Sequence, residues 1–311
     1  MSAAVTVHVP GSTSNLGAGF DCVGVAIDRR LRITARLTDG GGPVIERGGT
    51  LSVLDLAPQD DLLFVGFAAA CRAGGREAPA GVLLGATSDV PIGRGLGSSA
   101  AATLAGAAAA NELLRLGLDH ARLMTVCAEV EGHPDNVAAA VYGGATLALR
   151  APAGAWTVAP LEVDASLALS FAVPDFAIDT RRARAALPET VPHREAAAAA
   201  ARAAALVQGL AHADGTLLAL ALDDRLHVPY RRPLVPGYDE VTAAAVQAGA
   251  WGATLSGSGS AVVAVTPGRH AVAVADAMGR AWRRAGASPQ TFVVSRPGRA
   301  GGHVVEDLPC L

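Results

Sequence analysis

The sequence predicts an α+β protein of two domains. Three observations carry that expectation. Strand-like and helix-like segments are mixed along the whole chain. Its 311 residues are enough for about two domains. Hydrophobic residues make up 51% and charged residues 17%, a balance that buries a large core and excludes disorder.

The elements follow in order. AVTVHVP, near the N-terminus, alternates and is rich in Val, so it reads as a strand. GSTSNLGAGFD (11–21) reads as a loop of small and polar residues, and CVGVAID with RLRITARL as a hairpin. DLLFVGFAAACRAGG (61–75) reads as a helix stopped by glycines, and AGVLLGATSDVP (80–91) as a strand. A glycine turn then leads into a long Ala-rich helix reaching about Arg115. Further helices are expected at 119–132 and 135–144, and a strand at 145–150. APAGA (151–155) marks a domain boundary, dividing 1–155 from 156–311. Beyond it come a strand at 167–173, a short helix after Thr180, and helices at about 193–213, 215–223, 238–248 and 269–285. WGATLSGSGSAVVAV reads as strand, glycine turn and strand, and QTFVVS (290–295) as a last strand.

Composition removes several classes of function. The net charge of −3 provides no basic face for nucleic acid. All 25 basic residues are Arg, and there is no Lys. A Walker A lysine and a Schiff-base lysine are thereby excluded. Any cation touching an anion must be Arg, a metal ion or a helix N-terminus. Cys22, Cys71, Cys127 and Cys310 are scattered without a C-x-x-C, as buried thiols in a reducing compartment would be. No apolar run is long enough for a membrane span and no signal peptide is visible, so a cytoplasmic location is expected.

PIGRGLGSSAA (91–101) carries the chemistry. Strand, glycine turn and helix is the arrangement that presents backbone N–H groups to an anion. Gly93, Gly95 and Gly97 permit positive φ, and Ser98 and Ser99 supply hydroxyls to cap the helix or ligate a metal. A strained turn capped by serine would look the same, and the stretch matches neither G-x-x-x-x-G-K-[ST] nor G-x-G-x-x-G. AEVEGHPDN (128–136) adds Glu131, His133, Asp135 and Asn136 at a helix end. Glu131 could supply the carboxylate that a hard cation bridging phosphates needs, and a solvated acidic helix end followed by an Asx-capped turn would read the same. LSGSGSAVV (255–263) reads either as an ordinary β-turn or bulge between apolar runs or as a second backbone wall beside the site.

Taken together, VPGSTSNLGAGFDCVGVAI, PIGRGLGSSAAA, EGHPDNVAAAVYGG, PDFAIDTRRARAALP, LHVPYRRPLVPG and GATLSGSGSAVVAV resemble the successive motifs of the homoserine kinase family, within the galactokinase, homoserine, mevalonate and phosphomevalonate (GHMP) kinases. The match runs in order from about residue 5 to 265. The resemblance implies the two-domain GHMP kinase fold, with an N-terminal domain like the second domain of ribosomal protein S5 and a ferredoxin-like C-terminal domain. It implies ATP-dependent phosphorylation of L-homoserine to O-phospho-L-homoserine in threonine biosynthesis, with magnesium, and often a homodimer.

Carried over by position, Pro91, Ile92, Gly93, Arg94, Gly95, Leu96, Gly97, Ser98, Ser99, Ala100 and Ala101 would wrap the ATP triphosphate. Ser99 and Glu131 would bind magnesium. Asn15, Asp21, His133, Asn136, Thr180, Arg184, Arg231 and Gly257 would line the substrate site, Asp21 facing the amino group and both arginines the carboxylate. Asp135, Asn136 and Arg184 are the candidates for direct participation in the chemistry. Relatives that use an Asp base with a nearby Lys have no counterpart here, because Lys is absent. That favours transfer without a strong dedicated base. Two alternatives stand beside this reading: a superfamily kinase for another small alcohol, such as mevalonate or a sugar, and a silent binding protein on the same fold. The departures are small: SGSGSA replaces the frequent SGSGPT, and Ala139 stands where Pro is frequent.

Overall fold

The computed structural model describes residues 4–152 and 154–307. Its α+β architecture is built on two sheets. The first sheet holds β1 (Ala4–Asn15), β2 (Gly19–Leu37), β3 (Gly42–Gly49), β4 (Gly81–Ser88), β5 (Ala145–Arg150), β6 (Trp156–Leu161) and β11 (Val304–Asp307). The second holds β7 (Leu167–Val173), β8 (Gly252–Leu255), β9 (Val262–Pro267) and β10 (Gln290–Val294), in the order β10-β7-β9-β8. Every pairing in that second sheet is antiparallel. Numbered within the sheet its order is 4-1-3-2, the ferredoxin-like order that the resemblance implies.

Helices α1 (Leu62–Ala73), α2 (Ser98–Leu114), α3 (His120–Glu131) and α4 (Asp135–Tyr142) accompany the first sheet. The second half adds α5 (Thr180–Ala185), α6 (His193–His212), α7 (Gly215–Leu222), α8 (Val228–Arg231), α9 (Tyr238–Gln247) and α10 (Ala271–Arg284). α2 is central: Ala100–Asn111 is buried without a break. Its small side chains let β1, β2, α1, α3 and α4 all approach one helix, which is why the segment is so rich in alanine. α9 and α10 cover the second sheet around the buried Trp282.

Four local expectations need correction. CVGVAID and RLRITARL are not a hairpin but one 19-residue strand, β2. Asp28-Arg29-Arg30 resembles a turn, yet Arg30 N–H and the Arg29 guanidinium both bond to Asp89, and the Arg29 guanidinium sits 4.5 Å above the Phe292 ring. GSTSNLGAGFD is not a loop either: β1 runs to Asn15 and β2 starts at Gly19. Ser12, Thr13, Ser14 and Asn15 are buried strand residues bonded to Asn136, Ser256 and Gly257 far along the chain. The sheets themselves do not divide at residue 155. β6 pairs with β5, and β11 returns from the C-terminal end to pair with β1, so the first sheet takes strands from both sides of that position. The cysteines are not uniformly buried: Cys71 and Cys127 are, while Cys22 is half-buried. Cys310 lies outside the described residues.

Candidate active site

A cavity of about 670 Å³ lies where the glycine loop, the end of α3, the β1–β2 turn, α5 and the β8–β9 loop converge. The glycine loop is anchored on both sides. Leu96 C=O accepts from Ser12 N–H (3.0 Å), Gly93 C=O from Ile178 N–H (3.2 Å) and Arg94 C=O from Ala261 N–H (3.1 Å). The Ser256 hydroxyl donates to Gly95 C=O at 2.6 Å. The two small-residue motifs are thus one hydrogen-bonded unit, although about 160 residues separate them.

Gly97 precedes α2 with φ +69°, and no side chain caps the helix. The first-turn N–H groups of α2 therefore remain available to an anion. The serines do not cap, contrary to one of the sequence expectations. Ser99 instead donates its hydroxyl to Glu131 (2.8 and 2.7 Å to the two carboxylate oxygens). Thr103, one turn further along α2, donates to Glu131 Oε1 at 2.6 Å. Thr103 escaped the sequence reading, although its spacing of four from Ser99 places both hydroxyls on one helix face. The oxygen-only pair Ser99 and Glu131 suits a hard cation whose other ligands come from phosphates and water. Among the described residues no group of three or more His, Cys, Asp or Glu could hold a metal by itself.

The opposite wall holds the charged residues. Asn15 (φ +71°), Leu16 (φ +43°) and Asp21 (φ +55°) all adopt left-handed backbone, a concentration of strain typical of functional turns. Asn15 holds the turn: its Nδ2 donates to Gly257 C=O (2.9 Å), and its Oδ1 accepts from Asp21 N–H (3.0 Å). Arg184 forms a bidentate pair with Asp21, at 2.9 and 3.0 Å. That bond, more than any other cause, lifts the Arg184 pKa above its ordinary value. Arg231 is not a surface charge. It is 2% exposed, with its guanidinium bonded to Ala183 C=O, Gly257 C=O and His227 Nδ1.

At the back, Asp135 is buried and accepts on Oδ1 from Asn136 N–H (2.8 Å). His133 Nδ1 meets the same oxygen at 2.8 Å. Burial alone would raise the Asp135 pKa, but the His133 contact and the Asn136 N–H outweigh it and hold the group below its usual range. The Asn136 amide is engaged at both ends, accepting from Ser12 (2.8 Å) and donating to Ser14 (2.9 Å).

Of the residues assigned from sequence, Gly93, Gly95, Leu96, Gly97, Ser98, Ser99, Ala100, Glu131, His133, Asp135, Asn136, Asn15, Asp21, Thr180, Arg184, Arg231 and Gly257 line this one cavity. Pro91, Ile92, Arg94 and Ala101 do not. The Arg94 guanidinium is consumed by the carbonyls of Pro174, Asp175 and Ile92, so this arginine clamps the loop rather than facing the cavity. Ser14, Arg181 and Ser258 line the cavity without having been singled out. Ser12 and Ser14 stand two apart, a spacing that puts both on one face once the segment is a strand, but the stretch reads as a loop in the sequence.

Comparison with known proteins agrees with this geometry. The GHMP kinases N terminal domain family matches residues 63–144, and the GHMP kinases C terminal family matches residues 194–284. The homoserine kinase of Trichormus variabilis is 39% identical over 91% of this chain and 93% of its own length. That of Gloeobacter violaceus is 42% identical over 90% and 93%. The crystal structure of homoserine kinase from Cytophaga hutchinsonii superposes with a TM-score of 0.87 at 30% identity, covering 98% of both chains. Mevalonate kinase of L. major, at 15% identity and a TM-score of 0.68, shares the fold. With such identity sustained over nine-tenths of both chains, the protein belongs to the homoserine kinase family of the GHMP kinases.

Proposed function

We propose that the protein transfers the γ-phosphoryl group of ATP to the side-chain hydroxyl of L-homoserine, giving O-phospho-L-homoserine. One observation carries the reading: an acid and two arginines, Asp21, Arg184 and Arg231, share a cavity with the glycine loop. An amino acid zwitterion needs an acid for its ammonium and a planar donor for its carboxylate. Asp21 and Arg184 already form an ion pair, so the zwitterion would replace each partner with a group of the same charge. A sugar or mevalonate offers no such exchange, and the relatives named homoserine kinase support the same choice.

Gly93–Ser99 would hold the triphosphate through backbone N–H groups. Ser99 and Glu131 would hold magnesium, whose role when bound is to neutralise phosphate charge. Phosphoryl transfer asks a protein mainly for positioning and charge compensation. Asp135 is a poor base, because its carboxylate is stabilised as the anion and its Oδ1 is already bonded. This supports passage of the hydroxyl proton to a phosphate oxygen. A homodimer and a cytoplasmic location are further expectations of the family; no helix among the described residues is long and apolar enough to cross a membrane.

The test is coupled ADP production with homoserine, mevalonate, galactose and shikimate in parallel. Turnover with homoserine alone is expected, and none at millimolar homoserine would refute the reading. Asp135→Asn then tests the chemistry: a loss near ~10⁴-fold in kcat with binding intact would show that a true general base had been removed.

A further inference from the structure

His227 is wholly buried. It lies between the two charged halves of the cavity wall. Its Nε2 is 3.2 Å from Gly17 C=O, in the turn that carries Asn15 and Asp21. Its Nδ1 is 3.3 Å from Arg231 NH1. A carbonyl can only accept and a guanidinium can only donate. Both contacts are therefore satisfied by one state alone, the neutral ring with its proton on Nε2. Burial in the first place drives the ring toward that neutral state, to a pKa of about 4.

The surroundings make the ring stiff. Phe20 stacks on it with centroids 4.9 Å apart and an interplanar angle of 18°. The Arg231 guanidinium lies 5.2 Å from the same Phe20 ring. Asp224 accepts from the backbone N–H groups of Leu226, His227 and Val228, which fixes the entry to α8. Gly17 is also held from outside, since Ala18 N–H donates to Ala221 C=O at 3.0 Å. Among the described residues His227 is thus the one side chain hydrogen-bonded both to the acid-bearing turn and to the buried arginine.

We infer that His227 is a positioning residue that sets the spacing between the Asp21 turn and the Arg231 guanidinium, and through it the selectivity for an α-amino acid headgroup. The inference rests on the headgroup assignment made above. With the acceptor at Nδ1 removed, Arg231 loses a partner in a buried place and can turn toward other acceptors. The acid and the arginine then no longer stand at the separation a zwitterion requires.

The experiment compares kcat/KM for homoserine with that for 3-aminopropan-1-ol, which keeps the hydroxyl and the amine but lacks the carboxylate. It uses the full chain and the variants His227→Asn, His227→Gln and His227→Ala, with denaturation midpoints and the KM for ATP recorded for each. Asn keeps an acceptor near the Nδ1 position, whereas Gln keeps a donor toward Gly17 and lacks that acceptor. The homoserine preference is expected to fall tenfold or more in the Gln and Ala variants and to be largely retained in the Asn variant. The KM for ATP should stay within twofold. A folded Gln variant with unchanged preference, or a KM for ATP that rises in step with the KM for homoserine, would overturn the inference. If Ala does not fold, the Asn and Gln pair decides. A wild-type enzyme indifferent to the carboxylate would instead refute the headgroup assignment itself, a separate outcome from failure of the His227 role.

Discussion

Gly95 is the position where a single methyl group has the clearest expected effect. A Cβ there would stand 1.9 Å from Ser256 O, 2.9 Å from Ser256 C and 3.0 Å from Gly259 N. Carbon–oxygen contacts settle near ~3.3 Å, so the two backbones must part by roughly 1.4 Å. Separation breaks the Ser256 hydroxyl bond to Gly95 C=O and strains the Ala261 N–H bond to Arg94 C=O. Each bond is worth ~1 kcal/mol, and left-handed backbone (φ +72° here) costs an alanine a further ~1–2 kcal/mol. Overpacking against backbone adds ~1–3 kcal/mol, which brings Gly95→Ala to roughly 4–7 kcal/mol. Gly93 is the control. Its φ is +65°, yet a Cβ would meet only the Ala177 methyl, at 3.1 Å. Gly93→Ala should therefore cost about the backbone strain alone, ~1–2 kcal/mol. The assay is urea denaturation of both variants together with the KM for ATP. Gly95→Ala should unfold at much lower urea and bind ATP poorly, with Gly93→Ala shifted only by its backbone strain. Equal midpoints for the two variants would refute the claim that the glycine loop and the β8–β9 loop form one packed unit.

Three further outcomes are expected. Arg184→Ala removes the guanidinium proposed to exchange Asp21 for the substrate carboxylate, so kcat/KM for homoserine should fall roughly 10- to 150-fold, from ~1.5–3 kcal/mol for a charge-assisted bond, with the KM for ATP unchanged. Glu131→Gln deletes the carboxylate held by Ser99 and Thr103; titration of Mg²⁺ dependence and binding of Mn²⁺ with ADP should both weaken by about tenfold or more. His227 makes stability depend on pH. Its ordinary pKa of 6.5 falls to about 4 in the fold through burial first, with Asp224 opposing and Arg231 reinforcing the shift. Below pH 6.5 the unfolded chain takes a proton that the folded chain refuses, so this contribution is full above 6.5 and is lost as pH falls toward about 4, at up to ~1.4 kcal/mol per unit. His133 is shifted the opposite way, so the contribution is read as the difference between wild type and His227→Asn. Parallel urea midpoints for the two proteins across pH 7.5 to 5 would contradict it.

Much of the site was legible in residue types and spacing. The glycine loop, the helix behind it, the EGHPDN turn and the arginine-bearing segments all announce themselves within windows of about ten residues. What stayed hidden has a common physical cause. The polar residues of β1 look like a loop because such residues usually face water, but here Ser12 and Ser14 are satisfied by Asn136, Thr13 by Ser256 and Asn15 by Gly257, all from far along the chain. Edge strands β3 and β6 are half-exposed and carry no clean alternation.

The arginines show the division most clearly. The sequence by itself determined that every cation supplied by a side chain at this site must be Arg or His, since Lys is absent, and it set a glycine turn ahead of a helix, an arrangement that presents backbone N–H groups to an anion. Only the tertiary structure decided which arginine does what. Arg94, inside the motif, spends its donors on the carbonyls of Pro174, Asp175 and Ile92. Arg184 faces Asp21, and Arg231 is buried against His227. A guanidinium goes where unpaired acceptors await it, and those acceptors are brought together by folding rather than by neighbouring positions in the chain.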